Sequence, residues 1–457
     1  MTKKITALVL AVILSAVPAY ASYNPSYIAI EAENDAMDAA EEEAIERAVT
    51  RPVSSEQNLY MLGGWKGKRD ELARKGVTFS STFTTDVLGN ATGGMKQGAR
   101  FDSSTGWDVN FDLEKFAGLI GTQFHVSGLW RAGQNLSKAT IGNDLTCSTI
   151  FGNEQFRFYF MYLEKELLDK RLNIRVGRIA AGDDFASSPL YGIYVSNAVD
   201  GVPISIPINM FFSVYATATW GARAKYDLNK DFYILSGIYD GDSAVSRNDM
   251  CGFDFSLRLK EGLAFAQELA YAPDKGVGPN ELPGHYKAGI YYNSAVKRDL
   301  YSDVNGNSYA VTNLARKKHV GDYNVYIHAD QMIYREKGTK DQGLTPLAVA
   351  TIGPDNMNKF PFFIMGGLVY KGLVPGRDDD KTAVQMVYAK YSDKIKESQQ
   401  SVGSSPQQYE IALELTHRIM ITKWMYMQPD MQYIIQPGGT GNIDDALVLG
   451  FQFGLTF

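Results

Sequence analysis

The residues that end this chain alternate without a break. Leu449, Phe451, Phe453, Leu455 and Phe457 fall on one side; Gly450, Gln452, Gly454 and Thr456 fall on the other. A period of two is the mark of a β-strand, whose successive side chains point to opposite faces. The same period recurs from Val77 onward. In 121–131, Phe124, Val126 and Trp130 oppose Gln123, His125, Ser127 and Arg131. In 156–162, Phe156, Phe158, Phe160 and Tyr162 oppose Arg157 and Tyr159. Leu172, Ile174 and Val176 oppose Arg171, Asn173 and Arg175; Phe253, Phe255, Leu257 and Leu259 oppose Asp254, Ser256 and Arg258. Ile411, Leu413 and Leu415 oppose Glu410, Glu414 and Thr416.

A soluble sandwich also alternates, so length and residue type decide. The candidate strands run about 9–12 residues, the length a tilted barrel strand needs to cross a bilayer, whereas strands of soluble proteins average about 5–6. Their apolar sides draw on 27 Tyr and 23 Phe, as a lipid-facing wall with aromatic girdles requires. No stretch after the N-terminus has 18 consecutive apolar residues, and only helices and closed barrels satisfy their backbone in lipid. The chain therefore reads as all-β, a transmembrane antiparallel β-barrel.

The N-terminus points to export. Lys3 and Lys4 precede an apolar run at 5–17, and Ala19-Tyr20-Ala21 forms a small-x-small cleavage site, so 1–21 reads as a secretory signal peptide. Residues 22–64 follow as an acidic, partly helical or disordered periplasmic segment, with eight acids between Glu31 and Glu46. Residues 65–75 have the pattern of a short amphipathic helix, and 65–457 form the barrel domain. The net charge of −6 argues against nucleic acid as a partner.

Seventeen segments qualify as strands, including 252–260. A single-chain bacterial barrel has an even number, so the expectation is 16, with 18 as the alternative if a strand lies in 295–321. Short turns near 168–171, 228–230 and 260–262 suit the periplasmic side. The connection 180–215 is long, apolar and rich in Gly, Pro and Ser; it is expected to fold inward and narrow the pore, because a long apolar loop has no reason to stand in water.

No phosphate loop, HExxH or GxSxG occurs, and the five histidines have no ligand spacing. The reading is of a chain with no catalytic residues, metal or cofactor. The candidate solute site lies on the inward face: Arg131, Arg157, Arg175 and Arg223, with Asp183 and Asp184 opening the long loop and Phe185, Tyr191 and Tyr194 following. Guanidinium forks donate paired hydrogen bonds to vicinal hydroxyls, and aromatic faces stack on a pyranose. The alternative is that these charges merely solvate the pore or pair with one another. Cys147 and Cys251 lie in loop-like stretches bound for an oxidising compartment, so a Cys147–Cys251 disulfide is expected, with two free thiols as the alternative.

Several stretches carry a family resemblance. They are WKGKRDELARKG at 65–76, FDLEKFAGLIGTQFHVSGLWRAGQNLS at 111–137 and LLDKRLNIRVGRIAAGDDFASSPL at 167–190. TWGARAKYDL at 219–228, GIYDGD at 237–242, ADQMIYRE at 329–336 and KGLVPGRDDDKTAVQMVYAKYS at 371–392 complete the set. With these the chain resembles the carbohydrate-selective outer-membrane porins of the OprB family. The resemblance implies passive diffusion of mono- or small oligosaccharides across a Gram-negative outer membrane, without fixing the sugar. Its partners would then be sugars, outer-membrane lipid and lipopolysaccharide, and the barrel-assembly machinery; a homo-oligomer stays open. The rivals are a general diffusion porin, a barrel enzyme and a gated transporter. An enzyme needs a nucleophile–base constellation, and none is visible. A gated transporter needs a sizeable plug, for which the residues before Val77 are too few.

Overall fold

The computed structural model describes residues 59–457 apart from 153, 200 and 275–280. The signal peptide and the acidic stretch up to residue 58 lie outside the described residues. After a short turn, helix α1 (Lys68–Arg74) leads into β1 (Val77–Gly94). The sheet continues with β2 (Gly98–Asp112), β3 (Thr122–Gly133), β4 (Gln155–Leu167), β5 (Leu172–Ile179), β6 (Thr219–Asp227), β7 (Phe232–Asp240) and β8 (Leu263–Tyr271). Then come β9 (Gly284–Asp303), β10 (Arg316–Gln331), β11 (Tyr334–Arg335), β12 (Gly343–Ile352), β13 (Phe362–Lys371), β14 (Lys381–Lys390), β15 (Tyr409–Thr422), β16 (Met425–Ile435) and β17 (Asp444–Thr456).

Every neighbour is antiparallel, and β1 pairs with both β2 and β17, which closes the sheet. The two-residue β11 continues the edge of β10 against β12, so the closed barrel has 16 staves. Closure leaves no sheet edge exposed to lipid. The first described residues and the last strand meet at one rim. There Arg69 donates to the carbonyls of Phe79 (2.7 Å) and Phe457 (3.1 Å), and Met61 N–H donates to Thr456 (2.9 Å). The helix thus clasps the seam between the first and last strands.

The seventeenth candidate strand, 252–260, is not a stave. It keeps its alternation, with Phe253, Phe255, Leu257 and Leu259 exposed and Asp254 buried. However, it lies on the wall where the outer half of β4 has no partner in β5, whose pairing spans only Met161 to Leu167. Phe158 N–H donates to Cys251 O (2.9 Å), Trp220 Nε1 to Phe255 O (2.8 Å) and Arg178 to Gly252 O. Alternation reports one face toward lipid and one toward protein, and this patching segment meets that condition outside the ladder. One stave fewer before it also moves the turn at 260–262 to the outer side, against the expectation. No extra strand lies in 295–321. Instead β9 and β10 extend into a long hairpin joined by 304–315.

A second correction concerns β4. Its register with β3 shifts between Gly128↔Phe158 and Val126↔Met161. This bulge reverses the side-chain phase. Phe156 and Phe158 face out as expected, whereas Phe160 and Tyr162 are buried inside with Arg157 and Tyr159.

The apolar core lies within the barrel. One cluster joins Tyr191, Ile193, Tyr194, Val195, Ala198 and Val199 of the long connection to Leu347, Phe363, Met365, Val387 and Val448 of the wall. The other joins Phe185, Val202, Ile206, Met210 and Phe212 to Tyr159, Tyr239, Tyr291 and Tyr326. The connection 180–218 is therefore an inward loop packed across the lumen.

Candidate functional site

Four adjacent staves carry the arginines: Arg131 on β3, Arg157 on β4, Arg175 on β5 and Arg223 on β6. Period-two geometry turns all four inward, and all are buried. Arg175 and Arg223 are direct register partners. The loop leaves β5 at Ile179 and at once lays Asp184 between them. Asp184 Oδ1 is 2.7 Å from Arg223 Nη2 and 3.3 Å from Arg175 Nη1. Arg175 Nε also donates to Glu164 on β4 at 2.8 Å, and Arg223 Nη1 to Asn173 Oδ1 at 2.5 Å. These two guanidinium groups are committed to protein partners; they hold the loop.

Arg157 faces the other end of the loop, donating Nε to Ala216 O at 2.7 Å and Nη2 to Thr217 Oγ1 at 3.1 Å. Arg131 is placed differently. Its guanidinium lies 4.7 Å from the ring centroid of Tyr215, and Nη1 donates to Phe151 O at 3.2 Å. Its Nε and Nη2 have no hydrogen-bond partner among the described residues. Tyr215 is half-buried, exchanges a hydrogen bond with Ser104 Oγ at 3.0 Å and meets Tyr159 edge-on at 5.2 Å. Tyr159 O–H in turn donates to Asp183 Oδ1 at 2.6 Å. Burial, with Asp184 beside it, pushes the Asp183 carboxyl up to about 7.

The aromatic residues expected in the loop are all buried, but on different walls. Phe185 packs edge-on to Tyr239. Tyr191 O–H shares a 2.7 Å hydrogen bond with His328 Nδ1 on β10. Tyr194 O–H donates to Val384 O on β14 at 3.1 Å. The structure thus brings Asp183 and Asp184 to the arginine staves and carries Tyr191 and Tyr194 across the lumen.

Several inward residues escaped the sequence reading. Glu268 accepts from Ala186 N–H (3.3 Å) and Tyr326 O–H (2.6 Å), while Lys287 donates to Ser187 O (2.9 Å). Glu414 accepts from Val195 N–H (2.7 Å) and Ser196 N–H (3.3 Å). Strand phase marks these residues as inward; nothing local marks which of them grips the loop. Tyr215 lies in an irregular segment and carried no signal.

The expected disulfide is absent: both cysteines are free. Cys147 sits inside the barrel, where its carbonyl accepts from Gln432 of β16 at 2.9 Å and burial pushes its thiol up to about 12. Cys251 lies on the outer wall against β4. The inward fold of 134–152 and the packing of 251–258 along β4 keep the two thiols apart.

Comparison with known proteins gives the same architecture. The profile of the carbohydrate-selective porin, OprB family, matches residues 96–457. Porin B of Pseudomonas aeruginosa is 28% identical over 431 residues, covering 88% of this chain and 92% of that protein. The putative porin QuiX of Acinetobacter baylyi is 23% identical, covering 88% and 94%. The high-pH structure of Pseudomonas putida OprB superposes with a TM-score of 0.81 at 26% identity, covering 88% of this chain and 99% of that one.

Proposed function

The chain belongs to the OprB family of carbohydrate-selective porins, and we propose that it sorts solutes where the inward loop meets the arginine-bearing staves. It is an outer-membrane channel through which sugars diffuse. Downhill diffusion calls for neither a catalytic step nor a cofactor. Selectivity then rests on a constriction with a weak sugar site, since tight binding would slow release.

The observation that carries the proposal is the Arg131 guanidinium over the half-buried Tyr215 ring, with its Nε and Nη2 given no hydrogen-bond acceptor among the described residues. A fork of donors beside a half-buried aromatic ring matches a pyranose, which offers paired hydroxyls at its edge and C–H groups on its face. Arg157 positions the shelf by holding the backbone at Ala216, next to Tyr215. Arg175 and Arg223 set the aperture by holding Asp184. Asp183 supplies the carboxylate beside the shelf, and Phe185, Tyr191 and Tyr194 are the ballast that keeps the loop in place.

The test compares solutes. Arg131→Gln is put into liposomes at normal barrel yield, and swelling is followed with a hexose and with a neutral amino acid of similar size. The hexose rate is expected to fall about two- to tenfold, the worth of one or two weak hydrogen bonds, with the amino acid nearly unchanged. Proportional change in both, or in neither, removes the sugar site and leaves a general diffusion pore. Hexose recovered chemically altered would favour the enzyme reading.

A further inference from the structure

The β9–β10 hairpin carries an apolar row topped by basic residues on the outside of the barrel. Its outward row on β9 begins at Tyr286 and passes Ile290, Tyr292 and Val296; on β10 it passes Ile327, Val325, Tyr323 and Val320. All eight are exposed apolar or aromatic side chains on the lipid-facing wall. The row then changes character. Arg298 and Lys318 are direct register partners, two positions beyond the Val296↔Val320 pair, and both are exposed. Lys317 beside them is exposed. Arg316 leans in, donating Nη2 to the Arg298 carbonyl at 3.4 Å while its guanidinium lies 4.7 Å from the Tyr309 ring centroid.

Height places this cluster. Twelve residues separate Tyr286 from Arg298. At ~3.3 Å per residue and a tilt of about 40°, that is a rise of roughly 30 Å, close to the thickness of the hydrocarbon core. With Tyr286 at the periplasmic girdle, the four cations stand at the level of the outer-leaflet headgroups.

Charge pairing distinguishes the cluster from several other cations of the outer rim. Arg258 is held by Asp242 and Asp254, Lys390 by Asp393 and Lys394 by Glu397. Among the described residues no carboxylate lies within ion-pair distance of Arg298, Arg316, Lys317 or Lys318. The two nearby carboxylates are spent on the hairpin itself. Asp299 accepts from the Tyr301 and Ser302 amides and meets His319 at 2.8 Å. Asp303 accepts from the Asn305 and Asn307 amides and from Thr312 Oγ1. Four like charges gathered above an apolar face are a cost unless an anion with an apolar tail covers both.

We propose that Arg298, Arg316, Lys317 and Lys318 bind the phosphorylated sugar headgroup of an outer-leaflet glycolipid, whose acyl chains lie on Val296, Val320, Tyr292 and Tyr323. Guanidinium groups take phosphate oxygens in pairs, and the lysines add point charge. The site is on the opposite side of the wall from the lumen, so it stands whether or not Arg131 sorts sugars.

The purified barrel in detergent is titrated with diphosphoryl lipid A and analysed by native mass spectrometry, with Arg298→Glu/Lys318→Glu as the test variant. Lys96→Glu/Arg100→Glu, on the β1–β2 hairpin, is the control. Heat-modifiable mobility establishes that each barrel is folded. Lipid A affinity is expected to fall at least about tenfold in the test variant, as for loss of two charge-assisted contacts. The control should bind like wild type, and hexose swelling should be unchanged in both. Equal loss in the control would reduce the effect to general charge. Undiminished binding in the test variant would remove the site. Equal binding of phosphatidylglycerol, or displacement by equimolar inorganic phosphate, would overturn its glycolipid character.

Discussion

The inward loop is held by different means where it leaves β5 and where it crosses the lumen. Where it leaves β5, side chains of the loop meet side chains of the wall: Asp184 lies between Arg175 and Arg223, and Asp183 accepts from Tyr159. Across the lumen, wall side chains grip the loop's backbone. Glu414 takes the amides of Val195 and Ser196, Arg418 donates to Gly192 O at 2.8 Å, and Gln428 donates to Ile193 O at 2.6 Å. The first arrangement depends on what the loop residue is. The second depends only on where its peptide runs, and leaves Ile193, Tyr194 and Val195 free to build the apolar cluster. A charged anchor beside the site can tune a passing solute, whereas a backbone anchor far from it only fixes the loop's path.

The sharpest break comes at Arg223. Removing one partner of a buried ion pair leaves the other charge uncompensated, at a cost of about 3–5 kcal/mol. Here Arg175 still reaches Asp184, so Arg223→Gln is expected to cost about 3 kcal/mol. The check is the urea midpoint of the barrel in vesicles. Arg223→Leu combined with Asp184→Asn should recover most of the loss, because no lone charge remains. A double variant as unstable as the single would mean that packing, rather than charge, holds this end.

Next in size is Glu414. Glu414→Ala leaves the Val195 and Ser196 amides and the Gln385 side chain without this acceptor; with water entering the vacated space the cost is expected to be about 2 kcal/mol, whereas Glu414→Gln keeps one oxygen for Val195 and should cost about 1 kcal/mol. Hydrogen exchange at the Val195 and Ser196 amides reads this directly. Protection should fall there and persist at Asp184 and Phe185. If Arg223→Gln loosened the far amides as much as Glu414→Ala does, the loop would be one cooperative unit and the contrast between its ends would fail.

What the sequence disclosed follows the same division. Arg131, Arg157, Arg175 and Arg223 were legible as inward because strand phase is a local property, and Asp184 was legible as their counterpart because opposite charges on adjoining segments are few. Glu414 was legible as inward but not as an anchor, since its partners are peptide groups that any sequence supplies. The bulge in β4 was hidden for a related reason. One extra residue flips Phe160 and Tyr162 inward, and a count of aromatics at even spacing passes straight over it. The outer segment 252–260 misled in the other direction: lying against a wall under lipid gives the same alternation as belonging to it.

The smallest effect expected is also specific to the leading end. The Asp183 carboxyl is raised from its ordinary value to about 7 by burial, opposed by the hydrogen bond from Tyr159 and by Arg175, with Asp184 adding to the rise. A raised acid is neutral in the folded protein up to that pH, so its contribution to stability is greatest in acid and is lost as pH climbs from the ordinary carboxylate range toward 7. In the channel the sign is simple: below about 7 the aperture lacks this charge, and above it one negative charge stands beside Tyr159 and the arginines. Cation-over-anion permeability in planar bilayers should therefore rise on going from pH 5 to pH 8, on the order of twofold for one fixed charge at a narrow point. Asp183→Asn should shrink that rise. At the far end, His328 bonded to Tyr191 is the group whose ordinary value lies near neutrality, so His328→Gln is the control. If that variant abolished the pH step and Asp183→Asn kept it, the far end would carry the titration, and the assignment of charge to one end of the loop and backbone to the other would have to be reversed.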